Sequence, residues 1–127
     1  MTIKLHLAAF AAVSSVMLFF GQTAQAASNS YAWGQCTWYA KQRRPDLPNN
    51  LGNANNWYAR AAAMGRKVGA APRAGAVATT TAGRFGHVAV VDSVRGGTVN
   101  ISEMNYAGGV GKVHHRAVAA SSFRYIY

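Results

Sequence analysis

The chain opens on an apolar run from Leu7 to Phe20, preceded by Lys4 and followed by Ala24-Gln25-Ala26. A short basic start, an apolar centre and a small-x-small site predict an export signal over residues 1–26, removed to leave a single domain over 27–127. The run is shorter than the ~20 residues that cross a bilayer, so no membrane span is expected after cleavage. Further on, Gln35 to Gln42 follows Gly34 and stops before Pro45 and the turn-rich Asp46-Leu47-Pro48-Asn49-Asn50, which predicts a short helix. From Asn53, a good N-cap, Ala54, Trp57, Tyr58, Ala61 and Ala62 recur at helical spacing as far as Gly65, which predicts a second helix. Trp57 on this face serves either as a core anchor or as a wall of a substrate groove.

Beyond Pro72 the hydrophobic period changes from helical to alternating. Ala74 to Thr80 reads as a short strand, Thr81 to Gly86 as a loop, His87 to Val94 as a buried strand, and Thr98 to Glu103 as its return across Arg95-Gly96-Gly97. Gly108, Gly109 and Gly111 mark a turn, Lys112 to Val118 another strand, and Tyr125 to Tyr127 a short last one. If the turn holds three residues, Val94 pairs with Thr98 and His87 falls opposite Asn105. Glu103 then lies two residues along on the same face, and such diagonal neighbours are roughly 7 Å apart at Cα. A two-residue turn slips the register by one and removes this juxtaposition.

Composition narrows the partners. The chain has 13 Lys and Arg against 3 Asp and Glu, and only Lys4 among the basic residues falls in the expected signal. Such a surface suits an anionic polymer. Export favours the acidic peptides, wall polymers and anionic lipids of a bacterial envelope, periplasmic or extracellular, over nucleic acid. A single cysteine allows no intrachain disulfide, so packing of the aromatic residues has to supply stability. The adjacent His114 and His115 point to opposite faces of a strand and form no metal pair; neither a metal nor a cofactor is expected, and the domain is expected to be a monomer.

That cysteine, Cys36, lies in the first turn of the expected helix. There the free backbone N–H groups and the positive end of the helix dipole favour thiolate over thiol, and the same N–H groups can face a developing oxyanion. Cys, His and a carboxylate are the minimal set for thiol acyl transfer, in which the thiolate attacks a carbonyl, the histidine carries the proton and the acid orients the imidazole. His6 leaves with the signal. Asp46 sits in a Pro-rich turn, and Asp92, five residues beyond His87, points to the opposite face of a strand, so Glu103 is the acid that remains. On the residues alone, a buried structural cysteine beside a satisfied core histidine is the other reading.

The blocks Gly34-Gln35-Cys36-Thr37-Trp38-Tyr39, Gly86-His87-Val88-Ala89-Val90-Val91 and Ile101-Ser102-Glu103-Met104-Asn105-Tyr106, in this order, closely resemble the CHAP family of cysteine, histidine-dependent amidohydrolases and peptidases. The resemblance runs from about Tyr31 to Tyr127. It implies a papain-like α+β fold, with N-terminal helices packed on a small antiparallel sheet. It also implies cleavage of peptidoglycan, either between muramic acid and L-alanine or within the stem and cross-bridge peptides. By the same resemblance Cys36 is the nucleophile, His87 the base and then the acid, Glu103 the orienting acid, and Asn105 a polar residue completing the site. Gln35, Trp38 and Trp57 are weaker candidates for shaping the oxyanion or substrate pocket. One departure is Ala76 after Gly75, where members commonly carry Asp. The competing expectation is a non-catalytic CHAP-fold module that binds the envelope or assists assembly of a secretion system.

Overall fold

The computed structural model describes residues 28–127; the expected export signal lies outside the described residues. Helix α1 spans Cys36–Arg43, displaced by one residue from the expected span because Gln35 takes an extended N-cap conformation (φ −91°, ψ 160°). The second helical segment starts as a 3-10 turn, Ala54–Asn56, and continues as α2, Trp57–Ala63. Asn53 is its extended N-cap, and the amides of Met64 and Gly65 close the helix on the carbonyls of Arg60 and Ala62.

The strands are β1 (Val68–Gly69), β2 (Val77–Thr80), β3 (His87–Arg95), β4 (Thr98–Met104), β5 (Val113–Ala119) and β6 (Arg124–Ile126). They form one antiparallel sheet in the order β1-β6-β2-β3-β4-β5. Two features differ from expectation. The last strand is interior, inserted between β1 and β2, and β1 itself is too short to leave a periodic signal in the sequence. The strand expected from Ala74 starts at Val77, although Gly75 and Ala76 already exchange backbone bonds with Val91.

The centre of the sheet is covered on both faces. Val77, Val88, Val90 and Ile126 pack with Ala40, Leu47, Leu51, Ala54, Trp57 and Ala61 from the helical half. Ala78, Ala89, Val91, Val99, Ile101 and Tyr125 pack with Ala120 and Phe123, contributed by the connection from β5 to β6. This two-sided burial is why β2 and β3 read as continuous apolar runs. Beyond Val91, β3 emerges from the core and its residues are exposed.

The hairpin departs from the expected register in an instructive way. The turn contains only Gly96 and Gly97, since Arg95 pairs with Thr98 and Val94 with Val99. By itself that slips the register by one. A β-bulge between Val91 and Ser93 makes Asp92 the extra residue, and from there Val91 pairs with Ile101 and Val90 with Ser102. Continued to the strand start, this register puts His87 opposite Asn105 after all. Bulges commonly re-aim side chains in this manner next to a functional site.

Candidate active site

Cys36 is the first residue of α1 and is partly exposed. The first backbone bond of the helix runs from Tyr39 N to Gln35 O, so the preceding N–H groups, that of Cys36 included, have no partner within the helix. Gly34 sets up this start. It has φ +89°, and a Cβ there would lie 2.8 Å from Val110 Cγ1 and 3.1 Å from Gly111 N, whose amide bonds Gly34 O at 2.9 Å. Only glycine lets the chain enter the helix while touching the turn before β5.

His87 is the first residue of β3, and Gly86 fixes its approach. With φ +69°, a Cβ on Gly86 would stand 2.6 Å from Thr80 O and 2.7 Å from the backbone of Asn55. The neighbouring Phe85 carbonyl accepts a bond from Asn55 N at 2.8 Å, which ties the loop before His87 to the 3-10 turn. Cys36 and His87 line one groove of about 790 Å³, together with Gln35, Asn105, Arg60 and Arg84 among others.

The acid selected by elimination is the one that meets the histidine: His87 Nε2 lies 2.8 Å from Glu103 Oε1. Glu103 is fully buried. Burial opposes its ionisation, but hydrogen bonds from His87 and Arg116 outweigh that and hold its carboxyl below the usual range. Burial likewise disfavours the charged His87 ring, yet interactions with the Cys36 sulfur and the Glu103 carboxylate raise its pKa to about 9. The other two acids are engaged elsewhere. Asp46 pairs with Arg44 at 2.8 Å and Arg66 at 3.0 Å, and Asp92 accepts from Ser102 Oγ at 3.0 Å and Arg43 at 3.2 Å.

A profile of the CHAP domain family matches residues 26–105. The chain belongs to the CHAP domain family. It is 44% identical over 104 residues to the probable autolysin LDP of Staphylococcus aureus, covering 78% of this chain and 37% of that protein. It is 38% identical over 129 residues to the secretory antigen SsaA of Staphylococcus epidermidis, covering 98% of this chain and 50% of that protein. The chain thus spans half or less of the length of these curated relatives. Among solved structures, N-acetylmuramoyl-L-alanine amidase from Staphylococcus aureus superposes with a TM-score of 0.68 at 36% identity, covering 73% of this chain and 30% of that one. Ly7917 shares the fold alone, with a TM-score of 0.53 at 24% identity over 73% of this chain and 53% of that one. The fold is the papain-like α+β arrangement that the sequence blocks imply.

Within this CHAP domain the remaining candidates separate. Asn105 lines the groove in the left-handed region (φ +54°), and its Nδ2 donates to Gln35 Oε1 at 2.7 Å, leaving His87 to Glu103. Trp57 is wholly buried, donates Nε1–H to Gly52 O at 2.9 Å and packs on Tyr31, so its place is the core and not the groove wall. Trp38 also stands outside the groove lining, edge-on to the exposed Trp33 at 6.3 Å. Ala76 is buried in the second-face core, away from the groove. One residue, Arg116, is not marked by the sequence pattern. Arg116 Nε donates to Glu103 Oε2 at 2.7 Å and its Nη2 to Oε1 at 3.2 Å, while its guanidinium carbon sits 4.0 Å over the Tyr106 ring. Counting a β4–β5 register from the glycine turn, which the irregular 105–112 stretch obscures, was the signal needed to find Arg116.

Proposed function

We propose that the chain is an exported hydrolase that cleaves an amide bond of bacterial peptidoglycan, either between muramic acid and L-alanine or within the attached peptides, with Cys36 as nucleophile. The observation that carries this reading is that Cys36 and His87 line one groove while His87 Nε2 lies 2.8 Å from the buried Glu103 carboxylate behind it. Relatives named as an autolysin and an N-acetylmuramoyl-L-alanine amidase support the substrate class, and a relative named as a secretory antigen supports export.

In this mechanism the Cys36 thiolate attacks the carbonyl carbon of the scissile amide. The resulting oxyanion is met by the Cys36 N–H and by the Nε2 amide of Gln35, whose Oε1 is already held by Asn105. His87, charged while it faces the thiolate, gives its proton to the departing amine as the C–N bond breaks, leaving a thioester on Cys36. Neutral His87 then takes a proton from water. The hydroxide equivalent adds to the thioester carbon, the C–S bond breaks to release the carboxylic acid, and the Cys36 thiolate again faces a protonated His87. Glu103 stays ionised throughout and fixes which ring nitrogen faces the sulfur.

Mass spectrometry of purified muropeptides incubated with the protein tests this reading. The expected products are two fragments whose masses together equal the substrate plus one water, and their identity names the amide cut. Muropeptides recovered intact after prolonged incubation with correctly folded protein contradict the proposal and leave the fold as a binding module.

A further inference from the structure

A carboxylate enclosed from water stays ionised only if charges and hydrogen bonds compensate for lost hydration. Glu103 has two such partners, and they differ in kind. His87 exchanges its proton in the proposed cycle, whereas a guanidinium remains charged at every step. Arg116 takes Oε2 at 2.7 Å for itself and shares Oε1 with His87 at 3.2 Å, the two-pronged geometry that fixes a carboxylate in plane. The guanidinium is in turn held over the Tyr106 ring. Its place follows from register, since Arg116 pairs with Ile101 and is thus the diagonal neighbour of Glu103 across β4 and β5.

We propose that Arg116 is a positioning residue for the thiol chemistry. It keeps Glu103 ionised when His87 is neutral and orients the carboxylate so that Oε1 takes the Nε2–H of His87, leaving Nδ1 for the Cys36 sulfur. The inference rests on the reading that His87 carries the proton for Cys36. Glu103 bonds His87 from β3 and Arg116 from β5, and His114 of β5 is the cross-strand partner of Glu103; Tyr106, from the turn after β4, packs against His87, His114 and Arg116.

The test compares Arg116→Gln, Arg116→Lys and, as a control, His114→Gln, each checked for fold by near-ultraviolet circular dichroism. Two readouts are taken: the pH profile of Cys36 alkylation by iodoacetamide, and kcat and KM on peptidoglycan fragments. Arg116→Gln is expected to lower kcat by roughly 10- to 100-fold, the scale seen when a partner that orients a site ligand is removed. KM should change by less than about twofold. Glu103 then gains its proton at higher pH, so the acid limb of alkylation moves up by roughly one unit. Arg116→Lys keeps the charge and is expected to hold the limb in place while losing part of kcat, and His114→Gln moves neither. A folded Arg116→Gln with an unmoved limb, or an equal shift in His114→Gln, overturns the proposal. If Arg116→Gln does not fold, an Arg116→Lys variant with undiminished kcat overturns it instead. Alkylation requires no substrate, so a protein that turns nothing over but shows the limb shift supports Arg116 while overturning the hydrolase reading.

Discussion

The His87 imidazole is the residue on which the site's electrostatics converge. Its burial works against charge, and the Cys36 sulfur and Glu103 carboxylate more than reverse this, raising the pKa from 6.5 to about 9. The sign has two consequences. A histidine whose pKa is raised by folding contributes stability that is complete below 6.5 and is lost as pH rises through about 9. In the proposed reaction, loss of the imidazolium also removes the proton owed to the leaving amine, so kcat/KM is expected to fall above about pH 9. Both Cys36→Ala and Glu103→Gln take away a group that raises this pKa. Titration of the His87 ring by NMR should therefore show a lower midpoint in either variant than in the parent, and an unchanged midpoint contradicts the assigned contacts. At the same scale, Asn105→Ala frees Gln35 Oε1. It is expected to lower kcat while leaving the His87 midpoint in place, because the Asn105 side chain hydrogen-bonds Gln35 and the His87 ring is bonded to Glu103.

Helices and strands bring these residues together through a few conformational constraints. Gly86 is the sharpest, since its left-handed backbone and the adjacent Thr80 and Asn55 backbone leave no room for a side chain. Gly86→Ala is expected to cost at least ~2 kcal/mol, from the left-handed strain and the clash together, and to displace His87. A lowered thermal midpoint with reduced kcat is the predicted result; full stability and activity contradict the geometry described for this loop. The two helices were readable because Gly34, Pro45, Asn53 and Gly65 bracket their apolar spacing. Strands β2 and β3 were readable from their apolar runs, and Glu103 from the scarcity of acids. The interior position of β6 and the pairing of β1 were not, because two- and three-residue strands carry too few side chains to show a period. The expected meeting of His87 and Glu103 holds through a different route: the turn is shorter than the sequence reading has it, and the bulge at Asp92 supplies the compensating residue. No composition rule marks a bulge of this kind.

Across the whole molecule, charge is distributed so that the groove is free of acids. The chain's 3 acidic side chains all pair within the fold, and none lines the groove, which carries Arg60 and Arg84. Arg60 Nη1 bonds Asn50 O at 3.3 Å, and Arg84 lies over the Phe85 ring at 5.3 Å, so both guanidinium groups remain available to an anion. An electropositive groove draws in acidic peptides through interactions that salt screens. Arg60→Gln and Arg84→Gln are therefore expected to raise KM for fragments bearing free carboxylates with little change in kcat, and to weaken its dependence on ionic strength. Equal KM values for parent and variants in low salt contradict this role. The central proposal is that Cys36 is the nucleophile of an amide hydrolase. Its most direct test is the release of new amino groups from purified sacculi by the parent protein and by Cys36→Ala, with circular dichroism confirming that both are folded. The predicted result is steady release by the parent and none above background by the variant; release by Cys36→Ala at the parent's rate contradicts the account.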